Sequence, residues 1–277
     1  MDTETKETRK SFHPLRTLLL LILLLAAVAF ACRLLLWRDG RAPHLAGDAD
    51  RPPLSGLSRL SAVYAGGGAE DTYPDNLRKL AENEPEAADF VRGWDDGRGG
   101  RYDAARIDLS CDCGSGALPY LLQWDARWGY ADYGSGALGL TGCGPTCLSM
   151  VVVGLTGNRD ANPLAVAEYS ERSGWYVGGA GTSWELMRSG AEHYGLIWEE
   201  LPLDDDVLRA ALDGGRPVVA SMLPGDFTES GHYIVIEGCG DGGYRVLDPN
   251  SPTRSRTLWS YETLRGQIGN LWAYEAA

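Results

Sequence analysis

Two residues in the second half of the chain have the types and settings of a nucleophile and its base. Cys143 stands in the run Gly-Cys-Gly-Pro (142–145), which a long apolar segment follows. Proline suits the first turn of a helix and glycine permits a tight turn before it, so a buried helix is predicted to begin here. The unpaired N–H groups and positive end of a helix favour the reactive thiolate of a cysteine. The alternative is a small, inert core residue.

The candidate base comes from a short list of histidines: His13, His44, His193 and His232. The first two flank an apolar N-terminal segment, and the third lies in a predicted helix as a structural residue. His232 begins a β-rich run, residues 241–243 form a turn, and a second run ends at Asp248. In this predicted hairpin His232 and Asp248 lie one diagonal step apart on one face, so the carboxylate can orient the imidazole. The alternative is a strand histidine and a turn aspartate without a joint role.

Periodicity and turn residues predict the elements that must position these side chains. Helices are predicted at 74–80, 84–94, 183–194 and 204–212, the last capped by Asp204–Asp206, and strands at 118–124 and 217–222. We therefore expect an α+β fold in which the Cys143 helix packs on an antiparallel sheet that carries His232 and Asp248.

The N-terminal segment 17–37 is apolar enough, and with about 20 residues at ~1.5 Å each long enough, to span a bilayer as one helix. Basic residues before it weakly favour a cytoplasmic N terminus and an extracytoplasmic body. A cleaved signal peptide is the competing interpretation, and lipidation at Cys32 is a lesser one. The net charge is −13, which argues against nucleic-acid partners.

The remaining cysteines form no recognisable ligand set. Cys111 and Cys113 flank one residue, Cys147 is expected in the core one turn after Cys143, and Cys239 is expected near the hairpin turn. Their disulfide pattern stays open. No metal site and no cofactor are predicted.

Several motifs, in order along the chain, resemble those of the C39-like cysteine peptidases, a papain-like group related to bacteriocin-leader peptidases, and in particular its membrane-anchored bacterial members. They lie within residues 73–277, at 122–129, 142–150, 181–184, 224–228, 231–232 and 248–250. The resemblance implies a papain-like fold and hydrolysis of peptide bonds through a Cys143, His232 and Asp248 triad with a thioester intermediate. It also implies that Gln123 is the oxyanion-hole glutamine, with a loop bridging it to Cys143.

With this resemblance, the chain divides into five predicted parts: a cytoplasmic tail (1–16), a transmembrane anchor (17–37), a linker (38–72), a helical lead-in (73–110) and a C39-like peptidase domain (111–277). The predicted partners are a peptide or protein substrate and the lipid bilayer. Two other functions stay open: an acyltransferase or cell-wall amidase on the same triad, and a catalytically silent peptide-binding module.

Overall fold

A six-stranded antiparallel sheet and one buried helix form the framework of the protein. The computed structural model describes residues 75–114, 117–178 and 181–277. Its strands are β1 Asp132–Tyr133, β2 Gly136–Ala137, β3 Tyr176–Val177, β4 Gly181–Thr182, β5 Leu196–Glu200, β6 Val218–Met222, β7 His232–Gly240, β8 Gly243–Leu247, β9 Leu258–Trp259 and β10 Ile268–Ala276. The sheet has the order β5-β10-β6-β7-β8-β9, and β1–β2 and β3–β4 form two small hairpins.

The helices are mostly short. They are α1 Asp75–Asn83, α2 Ala88–Arg92, α3 Trp94–Arg98, α4 Leu138–Thr141, α5 Cys143–Thr156, α6 Pro163–Arg172, α7 Ser189–His193, α8 Asp205–Asp213, α9 Pro252–Arg256 and α10 Tyr261–Arg265. Single 3₁₀ turns occur at Pro85–Ala87, Ala104–Arg106 and Trp184–Met187.

Helix α5 is the central helix, as the sequence predicts. Its residues from Gly144 to Val153 are all buried, because the helix is apolar on nearly every side and packs between the sheet and α6. Gly157 ends it with a positive φ of 70°, a conformation that glycine adopts without strain. The first residue of this rigid element is Cys143.

Both faces of the sheet are covered, which explains why residues 233–236 of β7 are all apolar. Tyr233 and Val235 belong to the core beneath α5, whereas Ile234 and Ile236 belong to a second core that includes residues of α8 and α10. Fully buried side chains of this size each stabilise a fold by about 1.5–3 kcal/mol. The predicted α+β architecture, with the Cys143 helix packed on an antiparallel sheet, is confirmed.

The lead-in packs around one tyrosine that lies further along the chain. Phe90 stacks on Tyr130 with ring centroids 4.3 Å apart, and Trp94 meets the same ring edge-on. Two helices were expected at 74–80 and 84–94, but the second is a 3₁₀ turn followed by two short helices with Gly93 between them. Gly93 has no room for a side chain, since a Cβ there would lie 2.6 Å from the Tyr130 hydroxyl.

Two other sequence predictions are wrong in detail. Residues 118–124 are not a strand: Leu121 donates its N–H to the Met150 sulfur, so this apolar run is bonded to the central helix and pairs with no strand among the described residues. The helix expected at 183–194 is a 3₁₀ turn and the short α7, separated by Arg188 at φ −103° and ψ −90°. The helix opened by Asp204 is confirmed, with the Asp204 carboxylate capping it.

The predictions for the tail, the anchor at 17–37 and the linker lie outside the described residues. Within the part of the chain that the structure describes, no helix is both long and apolar enough to cross a bilayer. The boundaries of the five predicted parts therefore stay predictions.

Candidate active site

Cys143 begins α5, and its neighbours leave that end of the helix uncapped by side chains. Gly142, the N-cap residue, has no side chain that could cap the helix, and Pro145 has no N–H group. The helix-terminal donors are therefore the N–H groups of Cys143 and Gly144. Gly144 has a steric reason to be glycine, because a Cβ there would lie 2.8 Å from the Thr182 side chain. Cys143 is itself half-buried.

The β7–β8 hairpin brings His232 and Asp248 together. Val235 pairs with Leu247, which is the register predicted from the turn, and a bulge nearer the turn absorbs one residue. His232 is the first residue of β7, and Asp248 follows β8 directly. The His232 Nε2 and Asp248 Oδ1 atoms are 2.7 Å apart. A carboxylate only accepts, so Nε2 carries the proton of this hydrogen bond.

The electrostatics of this pair favour a charged imidazole. Burial acts to lower the pKa of His232, but the Asp248 carboxylate and the Cys143 side chain outweigh it and raise the pKa to about 10. Since Asp248 occupies Nε2, Nδ1 is the ring nitrogen left for Cys143. The site can therefore hold an imidazolium at neutral pH between a carboxylate and a cysteine.

Asp248 is fully buried and held by more partners than the sequence suggests. Its Oδ1 also accepts from the Asn250 N–H at 2.8 Å, and its Oδ2 accepts from Arg254 Nε at 2.6 Å. Tyr120 and Ser255 bond its backbone. Burial acts to raise the Asp248 pKa, but His232 and Arg254 outweigh it and hold the pKa below its ordinary value.

Arg254 was not singled out from the sequence, although a signal for its position exists. Ser251 caps α9 through the Arg254 N–H, and Pro252 stands in the first turn, a pattern that marks a helix start. That helix start places Arg254 in the first turn, six residues after Asp248. Which group its guanidinium would meet depends on the tertiary fold.

Gln123 is hydrogen-bonded both to the segment that follows Asp248 and to the segment that precedes Cys143. Its backbone N–H donates to Pro249 O at 2.8 Å, and its side-chain Nε2 donates to Gly139 O at 2.9 Å. The segment between Gln123 and Cys143 is the predicted bridging loop, and it contains turns, the β1–β2 hairpin and α4. The side chain is buried, and its Oε1 has no hydrogen-bond partner among the described residues.

Four of these residues line one cleft of ≈ 590 Å³: Gln123, Cys143, His232 and Arg254. Cys143, His232 and Gln123 lie on its floor. One wall is α1 and the other is the loop at 225–231, and Lys79 of α1 forms an ion pair with Glu229 of that loop at 2.6 Å. The cleft has both charged and apolar lining.

Other residues considered from the sequence lie elsewhere. His193 stacks on Tyr169, as expected of a structural histidine, and Trp184 packs edge-on against Trp272 and is partly exposed outside the cleft lining. The five described cysteines are free thiols: Cys111, Cys113, Cys143, Cys147 and Cys239. Cys147 is fully buried in the core, as predicted, and Cys239 lies near the β7–β8 turn, where it pairs with Tyr244. Within the described ranges, no three His, Cys, Asp or Glu side chains are grouped to hold a metal ion.

Comparison with known proteins gives a family for most of the folded part. The model of the family described as Peptidase_C39 like family matches residues 117–276. Among solved structures, the peptidase domain of Streptococcus ComA, a bifunctional ABC transporter involved in a quorum-sensing pathway, is 20% identical with a TM-score of 0.40, covering 50% of this chain and 93% of that chain. A putative C39-like peptidase from Bacillus anthracis is 14% identical with a TM-score of 0.39, covering 59% and 96%. No curated protein matches the chain.

Proposed function

The chain belongs to the Peptidase_C39 like family, and on that premise we propose that it is a cysteine peptidase that cleaves peptide bonds with Cys143 as nucleophile, His232 as base and Asp248 as orienter. One observation carries the proposal: His232, which is hydrogen-bonded to the buried Asp248 at 2.7 Å, lines the same cleft as a cysteine at a helix N terminus. Nucleophile, base and orienting acid are the three parts that thiol-dependent acyl transfer needs.

The nucleophilic step uses the Cys143–His232 pair. The imidazolium of His232 is favoured beside Asp248 and Cys143, so His232 can hold the proton that the Cys143 sulfur gives up when it attacks. The Cys143 sulfur attacks the carbonyl carbon of the scissile peptide, and a tetrahedral oxyanion forms. His232 then donates its Nδ1 proton to the leaving amine, and a thioester remains on Cys143.

The oxyanion is received by donors at the floor of the cleft. The Cys143 N–H has no intrahelical acceptor at its position in α5. Gln123 Nε2 carries two protons and donates one of them to Gly139 O. The other proton can therefore point to the oxyanion. A buried amide oxygen without a partner costs about 1–3 kcal/mol, and such a cost is typical of a site that orients a side chain for function. Water activated by neutral His232 then hydrolyses the thioester.

The proposal includes a location outside the cytoplasmic membrane. The apolar segment 17–37 supports a single membrane-spanning anchor, with the catalytic domain on the extracytoplasmic side. The substrate is a peptide or protein chain, because the family is one of peptidases. No nucleic acid is expected to bind, because the chain carries a net charge of −13.

A product analysis tests this function. The full chain in detergent is incubated with a peptide library and, separately, with cell-wall fragments and amine acceptors, and products are identified by mass spectrometry. Peptide cleavage by the wild type but not by Cys143→Ala supports a peptidase. Release from cell-wall fragments alone, or transfer to the amine without hydrolysis, contradicts it in favour of an amidase or an acyltransferase. No reaction with any of these refutes the enzymatic assignment.

A further inference from the structure

Arg254 lies between two buried carboxylates, only one of which belongs to the site described above. Its Nε donates to Asp248 Oδ2 at 2.6 Å, and its Nη2 lies 3.3 Å from Glu84 Oε1. The Asp248 side chain is 0% exposed, that of Glu84 3% and that of Arg254 20%. A guanidinium has donors on several edges of one plane, so a single arginine can bind both acids at once.

Glu84 comes from the lead-in, outside the residues that the family model matches. It follows α1 directly, and its backbone N–H donates to Leu80 O at 2.8 Å, which holds it at the helix end. Burial raises the pKa of Glu84, and a hydrogen bond to Ser251 and the charge of Arg254 oppose that rise. Burying a carboxylate is costly unless it is paired, so a buried glutamate at this point needs Arg254.

We propose that Glu84 is a positioning residue of the peptidase site, which acts through Arg254 to hold the Asp248 carboxylate for His232. The inference rests on the proposed function. Glu84 fixes one edge of the guanidinium, so Arg254 takes only Oδ2 of Asp248 and leaves Oδ1 to the imidazole. The lead-in is then part of the catalytic arrangement as well as a wall of the cleft.

Without the Glu84 charge, the Arg254 guanidinium loses one of the two carboxylates that it binds. It then competes with His232 for hydrogen bonds to the Asp248 carboxylate. Among the described residues, the groups that interact electrostatically with Asp248 include His232, Arg254, Glu84, Tyr120 and Cys147. Of these, only Glu84 offsets the positive charge of Arg254 besides Asp248 itself. When Arg254 draws Asp248 away from His232, the imidazolium is held less firmly beside Cys143 and stabilises the thiolate less, so the thiolate forms only at higher pH.

The lead-in provides a matched control. Glu86 forms an ion pair with Arg256 at 2.7 Å, which joins the same segment to the same helix α9 but is exposed and does not contact Asp248. Glu84→Gln and Glu86→Gln each remove one carboxylate from the contact between the lead-in and α9. If the two variants act only by weakening the contact between the lead-in and α9, they should have similar effects. If Glu84 positions Asp248, only Glu84→Gln should have an effect.

The test measures the alkylation rate of Cys143 by iodoacetamide against pH in the full chain, with thermal unfolding to verify folding. We expect Glu84→Gln to slow alkylation about tenfold at mildly acidic pH, as displaced catalytic groups commonly do, and to move the acid limb of the profile to higher pH. Glu86→Gln should reproduce the wild-type profile. A wild-type profile for folded Glu84→Gln, or equal changes in both variants, overturns the inference.

Failure of the proposed function gives a different result. If His232→Ala leaves the alkylation profile of Cys143 unchanged, the ion pair is absent and both proposals are overturned. If the His232 dependence is present, the outcome for Glu84 decides the inference alone. Should Glu84→Gln not fold, Arg254→Lys replaces it: it keeps the charge but cannot bridge two carboxylates, and an unchanged profile in that variant overturns the inference.

Discussion

Replacing Asp248 by asparagine tests the electrostatics of the site most sharply. The change preserves shape but removes the charge that favours the imidazolium of His232, 2.7 Å away between Nε2 and Oδ1. For charge centres about 4 Å apart in an effective dielectric of about 20, the interaction lost is about 4 kcal/mol, or about three pKa units. When the Cys143 side chain is removed as well, burial acts unopposed, so the His232 pKa should fall to or below its ordinary value of 6.5.

The assay is an NMR titration of the His232 imidazole in a Cys143→Ala background, where the thiol no longer contributes. Asp226→Asn is the control, because the Asp226 carboxylate lines the same cleft but accepts from Gln267 and has no part in the His232 shift. A fall of less than one pKa unit in Asp248→Asn, or an equal fall in Asp226→Asn, would refute the reasoning.

Three further results are expected. Gln123→Ala should lower kcat about 10²-fold through loss of one oxyanion donor; an unchanged kcat would remove Gln123 from the site. Gly144→Ala should lower the free energy of unfolding in urea by about 1–3 kcal/mol through overpacking against Thr182, whereas Gly266→Ala, with no atom within 4 Å of its Cβ position, should not. The free energy of unfolding should fall as the pH rises from 6.5 to about 10, because the folded protein retains the His232 proton that the unfolded chain releases. His232→Gln should flatten that part of the pH curve, and an equally steep curve would contradict the assignment.

The parts of the site that local patterns determine could be predicted. Glycine, proline and an apolar run define where α5 begins, so the position of Cys143 followed from short-range rules. The turn after β7 fixed the hairpin register, and with it the meeting of His232 and Asp248. The residues that define the start of α5 are neighbours in sequence, and His232 and Asp248 are related by a single hairpin turn.

The parts that depend on distant contacts could not be predicted. The run 118–124 has the composition of a strand, but apolar side chains from it pack in the core that contains α5. Gln123 is held by hydrogen bonds to Gly139 and Pro249 and not by pairing with a neighbouring strand. Glu84 and Arg254 are 170 residues apart and meet only because the fold brings the lead-in against α9. Neither residue stands in a local pattern that indicates a buried ion pair.

Competition between cysteines within the protein tests the central claim most directly. Cys111 is exposed and Cys143 is half-buried, so accessibility alone predicts that Cys111 reacts first with an alkylating reagent. An activated nucleophile reverses that order at about pH 6, where ordinary thiols are almost fully protonated. We predict by peptide mapping that Cys143 is labelled first in the wild type and loses this advantage in His232→Ala. Labelling of Cys111 ahead of Cys143 in the wild type would contradict the account.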